Sequence, residues 1–133
     1  MNAISLPYHL IIPSIISILI LCLLFYNRKQ IFKHRKRKWF WISMTLFFTL
    51  YLLIVVGAAY SDISLKLNLQ SFDLDGNGFF TKNEITDEQK MAMNKVISDV
   101  GRNLSFITGL IFSAIIASFA FIVGKTIEHF KKG

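Results

Sequence analysis

The chain has 133 residues, of which 53% are hydrophobic, and its formal net charge is +7. A water-soluble domain of this size would spread its apolar residues over short amphipathic runs, but here they form three long blocks, which is typical of a membrane protein. Too few residues remain outside the blocks for a second soluble domain with its own core. We therefore expect a single all-α membrane domain over residues 1–133, with one small insertion outside the bilayer.

The first apolar block covers residues 6–26 and predicts the first membrane span. About twenty helical residues extend about 30 Å, which is enough to cross the hydrocarbon core of a bilayer. No basic residue precedes the block and no small-x-small cleavage site follows it, so we do not expect a cleaved signal peptide. A basic linker at 27–38 follows, with the sequence NRKQIFKHRKRK.

Two further apolar blocks, at residues 39–60 and 104–123, predict the second and third spans. In the third span Gly109, Ser113 and Ala117 recur every four residues. Such a stripe of small side chains lets two helices approach closely. We therefore expect the third span to pack against another helix, within the chain or in a second subunit, along this stripe.

Basic residues in the short connections predict the orientation of the spans. Linker 27–38 has seven Lys or Arg residues and tail 124–133 has three. Segment 61–103 has five Lys or Arg residues, but its Asp and Glu residues outnumber them. Basic connections remain on the cytoplasmic side, so linker and tail should be cytoplasmic. The N-terminus and segment 61–103 should be extracytoplasmic. The amino-acid usage and small size favour a bacterial inner membrane.

Residues 73–84, with the sequence DLDGNGFFTKNE, carry oxygen-bearing side chains at regular positions. These side chains stand at positions one, three, five, nine and twelve of the segment: Asp73, Asp75, Asn77, Thr81 and Glu84. A Ca²⁺ ion needs six to eight oxygen ligands at about 2.3–2.6 Å, and donors on alternate residues of a tight loop can surround it.

This segment resembles an EF-hand calcium-binding loop. Gly78 stands at position six, where the chain bends sharply, and Phe79 at position seven would offer only its backbone carbonyl. Glu84 at position twelve can bind with both carboxylate oxygens, which favours Ca²⁺ over Mg²⁺. The resemblance implies six metal ligands: Asp73, Asp75, Asn77, Phe79, Thr81 and Glu84. The alternative is a polar turn that joins two helices without metal.

The flanks of the loop predict helices on both sides. An apolar face of Leu65, Leu69 and Phe72 leads into the loop. Thr81 with Glu84 forms a capping box, and Thr86 with Gln89 forms a second T-x-x-Q cap. We expect a short turn and then a fresh helix over about 87–101.

The loop has no second copy in the chain, although EF-hands usually pair. The apolar Phe80 at position eight would make a short β contact with a sister loop. Its partner could be a second copy of the protein, another membrane subunit, or the membrane-proximal helices.

Other functional signals are weaker. The basic residues at 28–38 could bind anionic lipids, whereas nucleic-acid binding is disfavoured because twelve residues between two spans do not reach far. No catalytic triad, nucleotide-binding loop or zinc signature is present, so we do not expect an enzyme. No charged residue lies within the core of a span, which disfavours a transporter.

The leading hypothesis is a non-enzymatic Ca²⁺-binding integral membrane protein. In it, Ca²⁺ orders the insertion at 61–103, which stabilises the helix bundle or docks a partner subunit. The alternative is a channel or transporter subunit that is regulated by Ca²⁺.

Overall fold

The computed structural model describes residues 5–33, 37–81 and 83–131. Residues 34–36 of the predicted linker, residue 82 of the loop and the two ends of the chain lie outside this description. Within the described ranges the chain is helical and has no β-strand, so the predicted all-α class is confirmed. The described residues form six helices: α1 (Tyr8–Tyr26), α2 (Arg28–Lys33), α3 (Lys38–Gln70), α4 (Asp87–Ser98), α5 (Val100–Asn103) and α6 (Ser105–Phe130).

Three of these helices, α1, α3 and α6, are long and apolar enough to cross a membrane. Helix α3 does not stop near Tyr60 but continues to Gln70, because no proline or glycine interrupts this stretch. Its 33 residues extend about 50 Å, whereas a bilayer core is about 30 Å thick. The helix that leads into the loop is therefore the outer part of α3 itself.

Helices α3 and α6 run antiparallel, and the close contacts with α6 lie on the part of α3 from Trp39 to Ile54. The predicted stripe of small residues on α6 is buried against α3, and the tightest contacts are at two glycines. A Cβ atom on Gly109 would lie 2.8 Å from Cγ2 of Ile54, and a Cβ atom on Gly124 would overlap the ring of Trp39. On the N-terminal side of Gly109 the Tyr51 hydroxyl donates to the Phe106 carbonyl at 3.2 Å.

Helix α1 packs mainly against α3. Its buried face consists of Leu10, Ser14, Ser17 and Leu21. Both serine hydroxyls donate to carbonyls four residues earlier in the same helix, so they need no partner on another helix. Most of the large apolar side chains of α1 and α6 are exposed on the outside of the bundle, which suits helices that contact hydrocarbon.

The bundle has two distinct ends. We call the end that carries residues 71–86 the loop end, and the end that carries residues 27–38 the linker end. The start of α1 lies at the loop end, where the Ser5 carbonyl accepts a hydrogen bond from Lys66 Nζ at 2.8 Å. Because one span of α3 separates loop from linker, the two lie at opposite ends of the bundle.

Candidate metal centre

The loop starts just after α3 and turns back sharply on itself. Helix α3 ends at Gln70, and residues 71–86 contain turns and bends but no helix among those described. Gly76 and Gly78 adopt φ angles of +68° and +83°, in the left-handed region that costs other residues about 1–2 kcal/mol. Gly78, the glycine predicted at the bend, therefore has a left-handed conformation, and Gly76 has one too.

Three of the predicted ligands converge at the base of this turn. Asp73, Asp75 and Glu84 each place a carboxylate oxygen within 4.8 Å of the other two. Two oxygens that each lie about 2.4 Å from one ion are at most about 4.8 Å apart, so a single metal ion could contact all three carboxylates.

The second carboxylate oxygen of Asp73 helps to shape the loop. Oδ2 accepts the Gly78 N–H at 2.9 Å, which fixes the bend. Oδ1 is buried and has no hydrogen-bond partner among the described residues. A buried anionic oxygen without a partner is costly, and a cation at this point would satisfy it.

Glu84 connects the end of the loop to its beginning. The residue is only 5% exposed, and its carboxylate accepts backbone N–H groups from Leu74 at 2.8 Å, Asp75 at 3.3 Å and Thr81 at 2.8 Å. These hydrogen bonds, led by the one from Thr81, lower the pKa of Glu84 below its ordinary value of 4.5 although burial opposes them. The carboxylate is therefore ionised at neutral pH and available to a cation.

The other three predicted ligands lie around this cluster. The Asn77 side chain donates to Asp75 Oδ2 at 2.5 Å and accepts the Phe79 N–H at 2.7 Å. The Thr81 hydroxyl donates to Glu84 Oε2 at 3.2 Å. The Phe79 side chain is 77% exposed, which agrees with a residue that would offer only its carbonyl. The structure thus groups the three carboxylates and holds Asn77 and Thr81 by hydrogen bonds to them.

The exit from the loop differs from the prediction in several details. Glu84 accepts the Thr81 N–H, but the Thr81 hydroxyl donates instead of accepting, so only half of a capping box forms and the chain makes a turn. In the second cap Thr86 Oγ1 accepts the Gln89 N–H at 3.1 Å and α4 starts at Asp87, but the Thr86 N–H donates to the Glu84 carbonyl at 3.0 Å and not to the Gln89 side chain. Helix α4 ends at Ser98, earlier than expected.

A buried ion pair at the base of the insertion was not predicted. Asp62 of α3 and Arg102 of α5 are 3% and 6% exposed, and Asp62 Oδ1 lies 3.2 Å from Arg102 Nε. Lys66 Nζ lies 2.7 Å from the other Asp62 oxygen, and the Arg102 guanidinium donates to the Val96 carbonyl at 2.7 Å. These contacts tie the outer part of α3 to the segment just before α6.

Asp99 explains why α4 ends early. Its Oδ1 accepts the Arg102 N–H at 2.9 Å and caps the short helix α5, so the backbone turns before Gly101. The sequence contains a signal for the ion pair: Asp62–Lys66 and Asp99–Arg102 have the spacing of helical charge pairs. This spacing indicates each local pair but not the contact between them.

Comparisons with protein-family models, with curated proteins and with solved structures find no match for this chain. The class of the protein therefore rests on its own fold and site. Over the residues that the structure describes, it is an all-helical protein with three helices long and apolar enough to span a membrane and with an acidic triad that could bind a metal ion.

Proposed function

We propose that the chain is a non-enzymatic, Ca²⁺-binding integral membrane protein. The observation that carries this proposal is the convergence of Asp73, Asp75 and Glu84 at one turn, with oxygens within 4.8 Å of one another. Three carboxylates with no sulfur or imidazole nearby in the sequence favour a hard cation. The EF-hand resemblance of residues 73–84 points to Ca²⁺ among such cations.

The ion would act by joining the two helices that enter and leave the insertion. Ligands from both ends of residues 73–84 would be held at one point, so the end of α3 and the start of α4 would become less mobile. The Asp62–Arg102 ion pair closes the same insertion at its base. The bound insertion would then form a rigid connection that stabilises the bundle or docks a partner subunit.

The orientation predicted from the basic connections would put the site outside the cytoplasm. Ca²⁺ sites of extracellular modules have dissociation constants of about 10⁻⁴–10⁻³ M. A site of that affinity would often be filled on the outer side of the membrane. This supports a structural or slowly responding role over rapid cytosolic signalling.

Two features favour this function over a channel or transporter. Residues 39–61 and 105–124 contain no charged side chain, so neither α3 nor α6 offers an ionisable pathway through the bilayer core. The charged cluster around Asp62 lies beyond this apolar stretch. Flux through liposomes that depends on Ca²⁺ and is lost in Asp73→Ala would support the alternative.

Thermal unfolding of the full chain in detergent tests the proposal. At a Ca²⁺ concentration about 100 times the dissociation constant, binding should raise the free energy of unfolding by about 2.7 kcal/mol. Mg²⁺ should give a smaller increase, because it prefers a tighter octahedron. Glu84→Gln should remove most of the Ca²⁺ effect.

Glu88→Gln is the matched control, because Glu88 is an exposed carboxylate on α4 outside the cluster. It should respond to Ca²⁺ like the unmodified protein. Each variant is compared with its own value in chelator, since Glu84 also organises the ion-free loop. Equal Ca²⁺ responses in Glu84→Gln and the unmodified protein, or no response in either, would contradict the proposal.

A further inference from the structure

A groove of about 450 Å³ opens on the surface of the bundle between α3 and α6, close to the linker end. Helix α3 contributes Phe40 and Phe47 to its walls, and α6 contributes Ala114, Ala117 and Phe121. The groove exists because small side chains of α6 face the aromatic rings of α3. Its volume falls within the range of about 300–1,000 Å³ that is usual for ligand pockets.

One polar group at the base of this groove lacks a partner. Ser43 lines the groove and is only 7% exposed, and its hydroxyl has no hydrogen-bond partner among the described residues. The hydroxyls of Ser14 and Thr45 differ, since each donates to the carbonyl four residues earlier in its helix. An unsatisfied hydroxyl in an apolar setting costs free energy, so an acceptor on a ligand at this depth would be favoured.

Positive charge flanks the same end of the groove. The exposed Lys38 precedes Phe40 by two residues, and Lys125, which pairs with Glu128 at 3.4 Å, follows Ile122 by three. Seven of the eight acidic residues lie between positions 62 and 99, at the loop end. The groove therefore lies at the strongly basic end of an electrically segregated bundle, where an anionic ligand would be attracted.

We propose that this groove binds an anionic glycerophospholipid from the surrounding leaflet. From the linker end towards the middle of the bundle, the groove presents basic residues near Lys38, then the Ser43 hydroxyl, and then the apolar walls around Phe47 and Ala114. A phospholipid has the same order: a phosphate headgroup, ester carbonyls and a hydrocarbon chain. The Ser43 hydroxyl would donate to an ester carbonyl, and one acyl chain would fill the groove. This site is separate from the Ca²⁺ loop at the other end.

Native mass spectrometry of the full chain in mild detergent tests this proposal. The probes are phosphatidylglycerol and phosphatidylcholine with identical acyl chains, so that only the headgroup charge differs. The unmodified protein should retain phosphatidylglycerol with about thirtyfold preference, since two basic side chains near the headgroup would contribute about 1 kcal/mol each.

Four variants separate the contributions. Ala114→Phe fills the groove and should reduce binding of both lipids at least tenfold, whereas Ile115→Phe places the same ring on an exposed position of α6 outside the groove and should change nothing. Lys38→Gln should lower the headgroup preference about fivefold. Lys95→Gln, at the other end of the molecule, should leave it unchanged.

Ser43→Ala tests the groove with a substitution that should not disturb folding, in case Ala114→Phe does. It removes the hydroxyl with almost no change in volume and should weaken both lipids equally, with the preference retained. Equal binding of the two lipids by the unmodified protein would overturn the proposal, as would equal effects of Ala114→Phe and Ile115→Phe. So would a dimer that binds no lipid and dissociates in Ala114→Phe, because the groove would then hold a second copy of the chain.

Discussion

At the scale of single residues, the insertion contains two buried anions whose charges are compensated in different ways. Glu84 is surrounded by backbone N–H groups, whereas Asp62 is balanced by the side chains of Arg102 and Lys66. The first anion organises a loop from within. The second joins separate helices, so its loss should destabilise the whole insertion.

Removal of one member of the buried pair should be more costly than removal of both. Asp62→Leu leaves the Arg102 guanidinium buried, with Asp99 as its remaining carboxylate at 3.7 Å. Breaking a buried pair in this way costs about 3–5 kcal/mol, and replacing both partners by apolar residues costs far less.

Unfolding of Asp62→Leu, Arg102→Met and the double variant in SDS–detergent mixtures measures the coupling. The double variant should be more stable than either single variant. Additive losses would mean that the two side chains do not depend on each other.

At the scale of helices, α3 and α6 approach closely because glycine occupies the points of contact. Gly124 lies against the Trp39 ring, and Gly109 lies against Ile54. In a bilayer no hydrophobic driving force brings two apolar helices together, so close packing of small residues has to supply the association.

Gly124→Ala should therefore destabilise the α3–α6 pair by about 1–3 kcal/mol, because its methyl group overlaps the Trp39 ring and forces the indole to move. Gly57→Ala is the matched control. Gly57 also lies in one of the three long apolar helices, but nothing lies within 4 Å of the added carbon.

Gly57→Ala should be neutral or stabilising, by up to about 1 kcal/mol, since alanine favours helix more than glycine does. The free energy of unfolding of both variants, from the same SDS titration, makes the comparison. Similar losses at the two positions would show that the contact at Gly124 has no special role.

At the scale of the whole molecule, the distribution of charge and the length of α3 predict how the bundle is oriented in a membrane. Carboxylates collect at the loop end and basic residues at the linker end, and α3 is longer than a bilayer core. These features predict that the loop and the linker face opposite sides of the membrane.

Labelling of single cysteines in intact cells checks this orientation. In a Cys22→Ala background, an impermeant maleimide should modify Glu88→Cys from outside the cell. It should modify Lys29→Cys only after the membrane is permeabilised. Both positions are exposed in the structure, so accessibility to the reagent reports the side of the membrane. The reverse pattern would place the candidate metal site in the cytoplasm and overturn the predicted topology.

The three long apolar helices, their approximate positions and the clustering of three of the predicted ligands could be predicted because each depends on neighbours in the chain. Continuous hydropathy predicts a span, the small-residue stripe at Gly109 predicts a packing face, and oxygen donors at fixed offsets predict a loop that can surround a cation. The convergence of Asp73, Asp75 and Glu84 agrees with that spacing, although Ca²⁺ itself stays a prediction.

Only the tertiary structure decided the features that join distant parts of the chain. The Asp62–Arg102 pair and the groove at Ser43 arise because α3 and α6 pack antiparallel in one particular register. The periodicity of the sequence does not determine that register, since the two helices could be aligned in many ways that bury the same apolar stripe. The early end of α4 has the same origin: Asp99 caps α5, whose Arg102 is held in place by α3.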